Sequence, residues 1–245
     1  MLKGLFESVW KKALDSEPAI EKSVGGRDYL IKGNTVLPAF QEPHAEFFEL
    51  GTLTGLVEYL TANKDKADLS TIMVHVLAPD EVSVISGYDG PWMERHQYAH
   101  AQTHPKEFAF EKFMSQEAFI IALQTYFEQT SVTADLAKFA GGVRLEDEAS
   151  FMDNGIAQGV TVKTSVARVE MVDVPNPVTL APYRTFKEVE QPASKFVFRM
   201  RRNGNVPEFA LFEADGGNWQ LEAMRRVKEW LVDNLPKDAG LVVLA

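Results

Sequence analysis

The sequence predicts an α+β fold: a mainly antiparallel sheet with helices packed on it and an N-terminal helical arm. Three observations predict it. Residues 159–212 form the longest strand-like region, rich in alternating β-branched and aromatic positions. Two tight-turn pairs, Asn154 with Gly155 and Asn203 with Gly204, mark hairpins. Segments of helical periodicity flank this region on both sides.

The elements follow in order. Leu2, Leu5, Phe6, Val9, Trp10, Ala13 and Leu14 make an apolar stripe on a first helix. That stripe fits a helix docked on its own domain or an arm exchanged with another copy. Gly25 and Gly26 break the helix, residues 28–31 form a short strand, and residues 33–50 read as irregular. Thr52 caps a helix over 53–63 with Leu53, Leu56, Val57 and Leu60 on one face. Residues 71–77 and 82–86 read as strands joined by a turn containing Pro79 and Asp80, with a third strand over 95–102.

Ser115 caps a helix over 116–129 that is apolar around most of its circumference, so it is expected to be central and buried. Thr133 caps a shorter helix ended by Gly141 and Gly142. Residues 159–174 alternate like a strand, and a phase slip predicts a bulge near Ala167. In the second hairpin Phe196, Phe198 and Met200 point inward. A last helix spans 218–234 with Leu221, Met224, Leu231 and Leu235 as its buried stripe. Residues 241–244 are all apolar, a closing strand buried on both faces or paired with another chain.

The predicted organisation is an arm over residues 1–24 and one domain over 25–245, with a proline-rich extended arm at 175–192 as its only seam. A segment of that length without its own helix is typically a lid or contact arm, and its prolines limit edge pairing.

Composition narrows the function. The chain has 245 residues, 45% hydrophobic and 24% charged, the balance of a globular domain with a full core. No cysteine excludes disulfides, thiolate metal sites and thiol nucleophiles. A net charge of −10 disfavours generic nucleic-acid binding, which needs clustered cations. No apolar run reaches the ~20 residues of a membrane span. The first residues lead into charged helix rather than a signal peptide's apolar core, so the expected location is the cytoplasm, without membrane partners.

Candidate chemistry is sparse. His96, His100 and His104 recur every four residues, but along a strand such neighbours lie about 13 Å apart, too far to share an ion. His44 and Glu46 match half of a zinc-deaminase signature whose cysteines are missing. Glu146, Asp147 and Glu148 form an acidic cluster that reads as a solvated turn. The best binding signal is Lys195, Arg199, Arg201 and Arg202. Three of these share the strand face opposite Phe196 and Phe198, where arginine forks match phosphate. Arg225, Arg226 and Lys228 are candidate neighbours, and Trp92, Arg95 and Tyr98 candidate stacking groups. The plainer reading is ion pairing with acids of a neighbouring strand or subunit. Neither cofactor nor metal is expected.

Several stretches together resemble one family. They are residues 50–59 (LGTLTGLVEY) ahead of the 71–86 hairpin, Trp92 followed by the polar strand 96–104, residues 113–119 (FMSQEAF) leading a helix, and 142–145 (GVRL) after the short helix. Over residues 48–235 the chain is similar to the YfdQ-like family of uncharacterised phage and prophage proteins. The resemblance implies a phage-encoded cytoplasmic protein of an infected or lysogenic host, and no catalytic residues. The expected function is therefore a non-enzymatic protein that assembles into a symmetric homo-oligomer, a ring or shell. Leu5, Phe6, Val9, Trp10, Tyr183, Phe186, Leu241 and Val243 are its expected interface. The alternative is a nucleotide- or nucleic-acid-binding module using the arginine hairpin, acting in anti-defence sequestration or phage recombination.

Overall fold

The computed structural model describes residues 19–25, 27–38, 46–88, 93–143, 152–153, 158–165, 168–173, 176–204 and 206–245. The predicted N-terminal helix with Leu5, Phe6, Val9 and Trp10, and His44, Trp92, the acidic cluster at 146–148 and the Asn154–Gly155 turn, lie outside them.

The chain divides into two compact units, Met1–Ala45 and Glu46–Ala245. The first carries a three-stranded antiparallel meander of β1 (Ile20–Val24), β2 (Arg27–Lys32) and β3 (Thr35–Pro38). Residues 20–24, expected to close a helical arm, are thus a strand. Gly25, at φ 63°, belongs to the turn that reverses it onto β2 rather than to a helix end.

The second unit is α+β. β4 (Phe48–Leu50) leads into α1 (Leu53–Ala62), whose first turn is capped by the Thr52 hydroxyl accepting from Gly55 N. β5 (Ile72–Ala78) and β6 (Glu81–Ser86) form the expected hairpin, and β7 (Gln97–Gln102) pairs antiparallel with β6. β8 (Met114–Ser115) precedes α2 (Gln116–Tyr126) and α3 (Ser131–Gly142). The cap of α3 is Thr130, which accepts from Thr133 N at 3.2 Å. Thr133, the expected cap, is buried one turn in and donates its hydroxyl to Glu128 O.

β9 (Met152–Asp153), β10 (Gln158–Ser165) and β11 (Arg168–Asp173) form a small antiparallel sheet. β10 and β11 pair antiparallel with a register shift between Lys163 and Ser165, and Ala167, the predicted bulge position, lies outside the described residues. β12 (Val178–Leu180), β13 (Ser194–Asn203) and β14 (Val206–Glu213) follow, then α4 (Asn218–Asn234) and β15 (Val242–Leu244).

Two cores organise this unit. In the first, α2 and α3 cover the four-stranded sheet β12-β13-β14-β8. Phe196, Phe198 and Met200 point inward as expected. Phe198 stacks on Phe209 at 5.9 Å, and Phe119 of α2 lies over both. In the second, α1 and α4 pack against the five-stranded sheet β15-β5-β6-β7-β4, on the face carrying Ile72, Val74, Val76, Val82 and Val84.

Two helix faces differ from expectation. α2 buries only Phe119, Ala122 and Leu123, and Ile121 is exposed, so α2 covers a sheet rather than sitting at the centre. α4 buries Ala223, Val227 and Leu231 at four-residue spacing, while Leu221 is 71% exposed. Among the described residues β15 is an edge strand, paired with β5 alone. Leu241 and Val243 pack on the second core, and Val242 and Leu244 turn outward.

The proline-rich segment is not a free arm. It leaves the first core at β12, crosses the unit and plants Phe186 and Val189 in the second core. Phe186, expected between copies, is fully buried in its own chain, which stabilises the crossing by about 1.5–3 kcal/mol.

Candidate functional site

The crossing segment is fastened along its length by backbone groups. Tyr183 N donates to Tyr126 O at 2.9 Å, and Glu128 N to Ala181 O at 2.8 Å. The Thr185 hydroxyl donates to Pro79 O in the β5–β6 turn. Gln191, 3% exposed, acts as an internal clamp: its Oε1 accepts from Arg184 N and Thr185 N, and its Nε2 donates to Phe186 O and Val189 O. From α4, Arg226 donates to Glu190 O and Gln191 O. The clamp fixes the backbone on both sides of Arg184, so its side chain has one course.

That course leads into an aromatic box. The Arg184 guanidinium carbon lies 4.5 Å from the Trp219 ring centroid, 4.8 Å from Phe110 and 5.3 Å from Phe196. The side chain is 9% exposed. Nη1 lies 2.9 Å from Glu213 Oε1, close enough for an ion pair but not aligned as a hydrogen bond. Among the described residues nothing accepts a hydrogen bond from Nε or Nη2. Burial holds the guanidinium below its ordinary pKa, opposed by the nearby Glu213 and Asp215 carboxylates. A buried cation whose donors lack protein acceptors is costly.

Arg184 stands on the wall of a cleft of about 610 Å³, a size typical of small-molecule sites. Phe108, Phe110, Tyr126, Tyr183 and Trp219 supply apolar walls, and Asp80, Glu107 and Glu213 supply carboxylates. A second cleft, of about 700 Å³, shares His104, Pro105 and Tyr183 with the first and is lined further by Lys106 and Lys187.

The arginine hairpin is arranged differently. Arg201 Nε donates to Glu208 Oε2 at 2.6 Å across the β13–β14 ladder, and Asn203 donates to the other oxygen at 2.8 Å. These bonds, Asn203 first, hold the Glu208 carboxyl below its usual range. Arg201 also covers the Phe113 ring at 4.2 Å, and Arg202 Nε donates to Gly204 O. Lys195 is exposed on the same strand and Arg199 half-buried. The hairpin tip is therefore closed on its own acids and backbone, the plainer of the two readings the sequence allowed.

Arg225 pairs with Glu222 and Glu229, and Arg226 with Glu222 and Glu190, so these cations brace α4 and the crossing segment. Arg95 donates to Ser86 O and covers Tyr88, and Tyr98 packs at the second core.

The histidine row separates as well. His100 lies on β7 with Nε2 3.0 Å from Glu81 Oε1 on β6, His96 precedes the strand, and His104 lines both clefts. Among the described residues no three His, Asp or Glu side chains converge on a point that a metal ion could occupy. No described helix is long and apolar enough to cross a membrane.

Of the expected interface residues, Tyr183 is a cleft wall, 36% exposed. Arg184, Glu213, Trp219 and Gln191 were missed. Their only sequence signal was an arginine inside a segment otherwise anchored by apolar residues. No family model, curated protein or solved structure matches the chain.

Proposed function

We propose that this chain is a non-enzymatic binding module that takes a small organic anion in the Arg184 cleft. One observation carries the reading: a guanidinium nine-tenths buried on a cleft wall, with Nε and Nη2 lacking acceptors. Nε and Nη2 share one edge of the guanidinium, the side-on fork that an oxyanion grips with two parallel hydrogen bonds. The aromatic walls supply area for the ligand's apolar part. This moves the nucleotide-binding alternative away from Arg199, Arg201 and Arg202 and widens it to small anions. The resemblance to YfdQ-like proteins supplies the proposed setting, a phage-encoded protein of the host cytoplasm.

The test is a thermal-unfolding panel of sulfate, benzoate, succinate and adenosine monophosphate against wild type and Arg184→Met. A ligand at a hundred times its Kd adds about 2.7 kcal/mol to stability. The expected result is that at least one anion raises the wild-type Tm by several degrees and leaves the variant unmoved. Equal shifts in both proteins, or none in wild type, overturn the proposal.

Self-association is a second reading, favoured by β15. Val242 and Leu244, 49% and 40% exposed, face outward from a strand whose second flank pairs with no strand among the described residues. Light scattering at micromolar concentration giving the mass of a single chain ends that reading.

A further inference from the structure

We infer that the ligand is a zwitterion, an α-amino acid with an apolar side chain, held by its carboxylate on Arg184 and by its ammonium on Glu213. The inference rests on the preceding reading of the cleft as an anion site and adds the cation. Three observations carry it.

The first is the distribution of charge. Asp80, Glu107 and Glu213 all line the cleft, and Arg184 is the one arginine or lysine among its described lining residues, Lys106 and Lys187 lining the adjoining cleft. Glu107 and Glu213 are exposed while Arg184 is deep. A ligand that is only anionic meets these carboxylates before it reaches the guanidinium. A highly charged phosphate meets them at the greatest disadvantage. A ligand with its own positive group is drawn to the same rim.

The second is the geometry of the ion pair. Glu213 occupies Nη1, 2.9 Å away, and leaves the Nε–Nη2 edge without an acceptor. A carboxylate on that edge therefore does not displace Glu213. It settles beside it, and an ammonium one carbon away falls next to the Glu213 carboxylate. Glu213 is 37% exposed and can turn toward that ammonium, whereas Arg184 is fixed by three rings and by the Gln191 clamp on its backbone. Each charge of the ligand meets its opposite, and the protein's own pair is kept.

The third is the cover. All three guanidinium nitrogens are closed to solvent, so a ligand reaches the fork only as a neighbouring side chain shifts. Of the three rings around Arg184, Phe196 is fully buried, while Phe110 and Trp219 are half-buried; Trp219 is the second residue of α4, after Gly216, Gly217 and Asn218, with its backbone N–H donating to Asp215 Oδ2 at 3.3 Å. Both glycines sit at positive φ with open space where a Cβ would be. A shift of the Trp219 side chain would open the fork, and the ligand's apolar side chain then takes up the walls of Phe108, Tyr126 and Tyr183.

Calorimetry on the full chain tests this with L-phenylalanine, L-leucine, L-phenylalaninamide and N-acetyl-L-phenylalanine. The amide removes the anion, and acetylation removes the cation. At least one free amino acid is expected to bind. For L-phenylalanine each blocked form binds at least about tenfold more weakly, the scale of losing one partner of a charge pair. Glu213→Gln is expected to weaken the free amino acid while leaving the acetylated one unchanged. Arg184→Met abolishes both.

If the acetylated form binds as tightly as its parent, the ligand is an anion alone: the inference falls and the proposed function stands. The same holds if neither amino acid binds while an anion of the thermal panel does. If the amide binds as tightly as its parent, Arg184 reads no carboxylate and both fall. Should Arg184→Met fail to fold, the chemical series on wild type decides.

Discussion

Replacing Arg184 by methionine asks whether the guanidinium is retained for stability or for a ligand. Its favourable interactions are three ring contacts at about 0.5–2 kcal/mol each and one ion pair to a partly exposed carboxylate, about 0–1 kcal/mol. Against them stand two donors without acceptors, at about 1–3 kcal/mol each, and the desolvation of the charge itself, several kcal/mol. Methionine fills a similar volume and keeps sulfur–ring contacts of about 0.3–1.5 kcal/mol. Glu213, 37% exposed, stays solvated when its partner goes, so no buried charge is orphaned. The expected outcome is a variant at least as stable as wild type, by up to about 2 kcal/mol, with anion binding lost. Equilibrium urea unfolding at constant slope measures the first, and each 1 kcal/mol corresponds to about 2–4 °C in Tm at this size. A loss of more than about 3 kcal/mol refutes the reasoning, because the cation would then be a structural keystone.

Phe198→Ala, at the centre of the Phe119–Phe198–Phe209 stack, is expected to cost about 3–5 kcal/mol in urea unfolding. Thr130→Ala removes the α3 cap and is expected to cost about 1 kcal/mol in the same assay. Glu222 is held down to about 2 by Arg225 first and Arg226 second. Its folded pKa is depressed, so its contribution is full above the usual carboxylate range and is lost as pH falls toward 2. Because the carboxylate is 31% exposed, that contribution stays under about 1 kcal/mol. The urea-midpoint gap between wild type and Glu222→Gln is therefore expected to be constant above about pH 5 and to close by about pH 2.

Elements whose pattern and turn chemistry agree were legible in the sequence. Pro79 and Asp80 between two apolar runs gave the β5–β6 hairpin, Asn203 and Gly204 gave β13–β14, and Leu53, Leu56 and Leu60 gave the face of α1. The errors came from weighting side-chain size. Leu221 looked like a core residue of α4, but the helix buries Ala223, Val227 and Leu231, where a small residue lets it approach the sheet. Ile121 looked central in α2 for the same reason and is exposed. The proline-rich segment was read as an external contact arm, and it instead plants Phe186 and Val189 in the second core. Proline fixes the backbone's local shape, but its destination is set by Phe186 and Val189 meeting strands 100 residues earlier in the chain, which no local pattern encodes.

The two arginine environments show why the site escaped a reading by motif. Arg201, in the richest cluster of basic residues, pairs through Nε with Glu208 one strand away, and its position follows from strand alternation. Arg184 stands without arginine or lysine on either side in sequence, and nothing local explains its place. It is carried into an aromatic box by the apolar anchors on either side and held there by Gln191, with donors that the fold leaves unmatched. Local propensity, burial and polar satisfaction agree throughout most of this unit, and a foldable sequence is one in which they agree. Arg184 is a position where they conflict, and that conflict is what supports the binding role proposed for it. By that criterion a solitary arginine in an aromatic box outweighs a cluster of three arginines and a lysine on one hairpin.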